Sequence, residues 1–140
     1  MGTLVKIAVI VIISLFTLTS KAQESYSLTV KVEDAESNDG KMFIAVYNKA
    51  SDFLDSSYKG VKTEITNNSC VVTFENLSEG TYAVSTFHDE NDNGKMDSNF
   101  LGIPKEDYAC SNNAKGFMGP PKWKDAKFEL KSDTTITITL

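Results

Sequence analysis

The last seven residues, Thr134 to Leu140 (TTITITL), alternate polar and apolar without a fault, and that period of two recurs along much of the chain. A strand turns successive side chains to opposite faces, whereas a helix repeats its apolar face every three or four residues. Tyr26 to Val32 places Tyr26, Leu28, Val30 and Val32 on one face. Lys41 to Tyr47 (KMFIAVY) is apolar on both faces and reads as a central strand covered on each side. Further strands are predicted at Val61–Ile65, Cys70–Phe74, Thr81–His88 and Ala126–Leu130, set between turn-forming residues. Ser51 is placed to cap one short helical turn, and no long amphipathic helix is encoded. About seven strands at turn spacings of roughly 8–12 residues predict an all-β fold, an antiparallel β-sandwich of immunoglobulin-like or transthyretin-like kind. One long irregular segment, Asp89 to Lys122, interrupts the pattern. It is rich in Asp, Asn, Gly and Pro, yet carries Phe100, Leu101, Ile103, Tyr108, Phe117 and Met118, so it is expected to pack on something.

Residues 1–22 read as a signal peptide. Lys6 supplies the positive start, Ile7 to Leu18 an apolar run, and Ser20 and Ala22 the small residues before a cleavage point. That run of about a dozen residues falls short of the roughly 20 needed to span a bilayer. A single domain is therefore expected over 23–140, exported to the periplasm or the cell exterior, with no stable membrane insertion after cleavage. Every basic residue is a lysine, and cleavage leaves twelve of them against nineteen acids, a net charge of −7. Nucleic-acid binders need a basic face to displace counterions from phosphate, so that class is excluded, and anionic membrane surfaces are disfavoured on the same ground. The two cysteines, Cys70 and Cys110, allow one disulfide in an oxidising compartment. The same residues also fit a small buried hydrophobe at 70 and a free thiol at 110.

The chemistry concentrates in HDENDNGKMD, residues 88–97. Counting from Asp89, oxygen-bearing side chains fall at positions 1, 3, 5 and 9: Asp89, Asn91, Asn93 and Asp97. Gly94 stands at position 6, and Lys95 at position 7 offers its carbonyl. Calcium gathers six to eight oxygens, so the backbone must wrap tightly and a glycine eases the turn. Position 12, where a full calcium loop carries a bidentate acid, is Phe100, so Glu106 or Asp107 is the expected extra donor. Such a site would be weak, on the order of 10⁻⁴–10⁻³ M. Asp, Asn and Gly equally serve a tight connection without any ion, because Asx side chains bond their own backbone. His88, the only histidine, lacks the His or Cys partners of a transition-metal site and reads as a hydrogen-bonded strand-end residue. No nucleophile-and-base constellation is visible. Phe117, Met118 and Trp123, set around Gly-Pro-Pro, are candidate ligand contacts, or else they plug one end of the sandwich.

GTYAV at 80–84, HDEN at 88–91, NGKMD at 93–97, GIPKE at 102–106, SNN at 111–113, PP at 120–121 and DAKF at 125–128 resemble the exported bacterial proteins of the domain of unknown function 2141 family. The resemblance covers nearly all of 23–140 and implies a small exported β-sandwich with no established activity. Ala109-Cys110 departs from the family pattern, so the resemblance implies no disulfide. LSEGTYAV at 77–84 is similar to an edge found in transthyretin-like and carboxypeptidase-regulatory-like sandwiches, a likeness of fold only. The expected function is an exported, non-catalytic binding or accessory module with a calcium-stabilised loop, its ligand a glycan or a protein. The alternatives are a purely structural envelope sandwich without an ion, and a small hydrolase using clustered carboxylates such as Asp89, Asp97 and Glu106.

Overall fold

Eight strands build two sheets in the computed structural model, which describes residues 22–140. The expected signal segment, apart from Ala22, lies outside the described residues. β1 (Ser25–Glu33) runs between β4 (Cys70–Ser78) and β8 (Thr134–Thr139) in a three-stranded sheet. The second sheet has the order β3 (Lys59–Thr63), β2 (Lys41–Tyr47), β5 (Gly80–Asp89), β6 (Tyr108–Cys110), and β7 (Phe128–Leu130) pairs the first residues of β5. The chain is an all-β sandwich, as its alternation predicts. The arrangement departs from a purely antiparallel one at a single pairing: β1 and β8 run parallel, from Leu28 opposite Thr134 to Glu33 opposite Thr139.

The alternating apolar faces meet between the sheets. Leu28, Val30 and Val32 of β1 are fully buried against Met42, Ile44 and Val46 of β2, Val84 of β5 and Ile138 of β8. Each such side chain contributes about 1.5–3 kcal/mol on burial, which is how a small domain without long helices holds together.

Local departures from the predicted elements have local causes. β4 runs on past Phe74 because a bulge absorbs one extra residue: Tyr26 pairs Leu77 while Leu28 pairs Phe74. Asn76 takes the left-handed conformation that the bulge requires (φ 59°). Ser51 lies inside a 3-10 turn, Ala50–Asp52, with Lys49 rather than Ser51 at its N-cap. A one-turn helix, α1 (Trp123–Ala126), delays the strand expected from Ala126 until Phe128. β6 arises inside the segment expected to be irregular.

Both cysteines are free and buried. Cys70 opposes Val32 and packs in the inter-sheet core, whereas Cys110 on β6 packs with Ala83 and Ala126 in a separate cluster. They belong to different sheets and different packing clusters, so the disulfide that the composition allows is not made.

Candidate functional site

The second face of β2 finds a different partner from the first. Phe43, Ala45 and Tyr47 lie opposite Phe87, Ser85 and Ala83 of β5, away from the inter-sheet core. Phe43 and Phe87 stack with ring centroids 4.7 Å apart and planes 12° from parallel. The Tyr47 hydroxyl lies 3.2 Å from Ser85 Oγ. Among the described residues no third sheet covers this floor; the long segment after β5 arches across it and leaves a groove of about 1230 Å³. Met96, Ile103, Pro104, Tyr108 and Met118 of that segment line the groove, and Ala45 lies on its floor. The volume exceeds the roughly 300–1,000 Å³ of ordinary small-ligand sites, and the lining is mainly apolar with a few hydroxyls, the usual chemistry of such sites.

The two ends of the groove are fixed differently. At one, Tyr47 meets Phe53 edge-on at 5.3 Å, and Phe53 meets Trp123 edge-on at 5.8 Å. Toward the other, the Lys62 ammonium lies 5.4 Å from the Phe43 ring centroid and pairs with Asp92 at 2.6 Å. That bond holds the Asp92 carboxyl below its ordinary range, and it ties the groove floor to the loop after β5. An exposed pair of this kind adds little stability, so its effect is one of position.

That loop is wound around three carboxylates. Asp89, fully buried at the end of β5, accepts the backbone N–H groups of Asn93 (3.1 Å) and Gly94 (2.8 Å). Asn91 Oδ1 accepts the N–H of Asn93, and Asn93 Oδ1 accepts that of Lys95. Asp97 accepts the side-chain amides of Asn91 (2.6 Å) and Asn93 (2.9 Å). These donors, Asn93 foremost, hold the Asp97 carboxyl below its usual value. Glu106, buried, accepts the N–H of Glu90 at Oε1 and that of Asp97 at Oε2. The structure therefore brings Asp89, Asn91, Asn93, Lys95 and Asp97 into one loop and adds Glu106 to it. Asp107 instead turns its backbone carbonyl to the N–H of His88. Among the described residues, no three His, Cys, Asp or Glu side chains stand together as a metal-binding group.

The remaining candidates fall in different places. His88 is fully buried; its Nε2 lies 2.7 Å from the Asp39 carbonyl oxygen, while Nδ1 has no partner. Of the three proposed ligand contacts, Met118 lines the groove, Phe117 is 90 % exposed, and Trp123 packs on Phe53 in the second cluster. The Ser-Asn-Asn block does structural work that the sequence did not reveal. Ser111 Oγ accepts the N–H of Val84 and donates to the Ala126 carbonyl, both inside the fold. Asn112 donates to the carbonyls of Asp125 and Lys127, and Asn113 accepts the N–H of Thr139. These three residues pin β5, α1 and β8 together behind the groove.

Residues 30–138 match the family described as "Uncharacterized protein conserved in bacteria (DUF2141)". No curated protein and no solved structure matches the chain. With that match covering most of its length, the chain belongs to the DUF2141 family.

Proposed function

We propose that the protein is an exported, non-catalytic binding module whose ligand lies in the groove over the outer face of the five-stranded sheet. The observation that carries this reading is the stacked Phe43–Phe87 pair lying at the floor of an open, apolar groove. A floor of that kind costs stability when left to water, and function is the usual reason to keep it. Its shape suits a glycan presenting a C–H face to the aromatic rings, or an apolar segment of a protein. The Tyr47 and Ser85 hydroxyls supply polar anchoring. A titration with the neutral fluorophore N-phenyl-1-naphthylamine tests it. The wild type should bind one equivalent, and Ala45→Trp, which fills the floor, should bind at least about tenfold more weakly with an unchanged melting midpoint. Equal binding by both proteins would remove the groove from consideration and leave the purely structural reading.

A second reading concerns the loop. The observation that favours calcium is that Glu106, six residues beyond position 12, turns its carboxylate into the loop, where it now accepts the N–H groups of Glu90 and Asp97. A cation would take the place of the Asn91 and Asn93 amide donors on Asp97, with Asp89 and the Lys95 carbonyl as further ligands. If Kd is about 10⁻⁴ M, 10 mM calcium should stabilise the domain by about 2.7 kcal/mol over EDTA. Asp97→Asn should abolish that gain. An identical midpoint in calcium and EDTA would mean that the amide hydrogen bonds close the loop unaided.

A further inference from the structure

The long segment carries two tips that project beyond the groove, although Met118 of the second also lines it. At the first, Phe100 is 94 % and Leu101 67 % exposed. At the second, Phe117 is 90 % and Met118 94 % exposed. Neither tip is a loose coil. Asn99 Oδ1 accepts the N–H groups of both Leu101 and Ile103, and the Asn99 N–H donates to the Ile103 carbonyl. The second tip turns so tightly between Gly116 and Gly119 that a Cβ at 116 would fall 1.7 Å from the Gly119 carbonyl oxygen. Two fixed turns thus hold four large apolar side chains in water, and residues from both turns line the same groove, so they share one side of the molecule.

Charge is distributed to match. Between residues 93 and 124 the exposed charged side chains are Lys95, Lys105, Lys115, Lys122 and Lys124, and every one is a lysine. The acids of that stretch, Asp97, Glu106 and Asp107, are partly or fully buried. In the rest of the described chain acids outnumber lysines about two to one. Exposed Asp92 and Asp125 border the stretch, so the lysine excess belongs to the part of the chain that carries the two tips and not to the molecule as a whole. Screening limits each charge to about 8–10 Å, so the lysines nearest the tips in the chain, Lys105 and Lys115, are the ones that count at a surface the tips approach.

We propose that these two tips seat the domain on an anionic phospholipid bilayer, Phe100, Leu101, Phe117 and Met118 entering the interface while the lysines lie among the headgroups. Apolar side chains backed by basic ones are the combination that holds a peripheral protein at such a surface without a spanning segment. Of the four side chains only Met118 also lines the groove; Phe100, Leu101 and Phe117 do not.

Flotation with the domain spanning residues 22–140, in which both sheets are complete, tests it. Vesicles of phosphatidylcholine with 30 % phosphatidylglycerol are compared with phosphatidylcholine alone. The wild type should float with the anionic vesicles, and 0.5 M NaCl should reduce this at least about fivefold. Phe100→Ser/Phe117→Ser should lose at least about tenfold in partitioning while melting at the wild-type temperature, because neither ring is packed. Lys105→Gln/Lys115→Gln should weaken binding to the anionic vesicles alone. Absence of wild-type flotation overturns the proposal, and so does full flotation of the Phe100/Phe117 variant. A wild-type dimer that this variant dissociates, with no vesicle binding, would assign the tips to a second copy of the chain instead.

Discussion

Glu106 Oε2 accepts the backbone N–H of Asp97 at 3.0 Å, nine residues back along the chain. Its other oxygen takes the N–H of Glu90, so one buried carboxylate ties the two ends of the loop to each other and to the approach to β6. Glu106→Gln keeps one acceptor oxygen but turns an NH₂ group toward a backbone N–H. The expected loss is about 2 kcal/mol, read from urea unfolding. Amide exchange should quicken first at Glu90 and Asp97.

Acid should loosen the same loop through Asp97. The Asn93 and Asn91 side-chain amides, helped by Lys95 and Lys105, hold its folded-state pKa below the ordinary 3.8. A group whose folded pKa is depressed contributes stability that is present above the unfolded pKa and lost as pH falls through the folded one. Unfolding free energy measured from pH 5 to pH 2 should therefore fall more steeply in the wild type than in Asp97→Asn.

Gly40 is the point where the β1–β2 connection touches the loop. Its φ is +66°, and a Cβ there would fall 1.9 Å from the Asp89 carbonyl oxygen. Gly40→Ala adds backbone strain to a clash with rigid backbone, and a loss of at least about 2–3 kcal/mol is expected in thermal melts. Gly60→Ala, whose nearest neighbours would be 3.7 Å away, should stay within about 1 kcal/mol of the wild type.

The two thiols should be silent until the domain unfolds. Burial pushes Cys110 up to about 11 and raises Cys70 as well, so little thiolate exists near neutral pH. Native protein at pH 8 should react with Ellman's reagent only on the timescale of global unfolding, and should then release two equivalents. The melting midpoint should be the same with and without reductant.

The strands were legible wherever alternation lasted long enough to be seen. β1, β2, β5 and β8 each carry six or more residues with a clear inner face. β6 has three residues, Tyr108–Cys110, too few to show a period, and it forms because β5 offers an open edge at Ser85 to Phe87. KMFIAVY announced that β2 would be covered on both faces, but not that the outer cover would be a loop arching over open space. Spacing placed Asp89, Asn91, Asn93 and Asp97 in one loop, since all lie within nine residues. It marked Glu106 as one of two acids available to complete the loop; only the fold determines which of them turns inward. Phe117 and Met118 sit together on one exposed turn, whereas Trp123 opens α1 and packs on Phe53, so residues close in sequence fall in two environments.

The outer face of the five-stranded sheet is the surface on which ligand binding is decided. Amide chemical shifts of the ¹⁵N-labelled domain, followed during titration with N-phenyl-1-naphthylamine, address it directly. The largest changes should fall on Phe43 to Tyr47, Ser85 to Phe87 and Tyr108, and saturate at one equivalent. Changes scattered over the surface, or centred on β1, β4 and β8, would contradict the placement of the ligand in the groove.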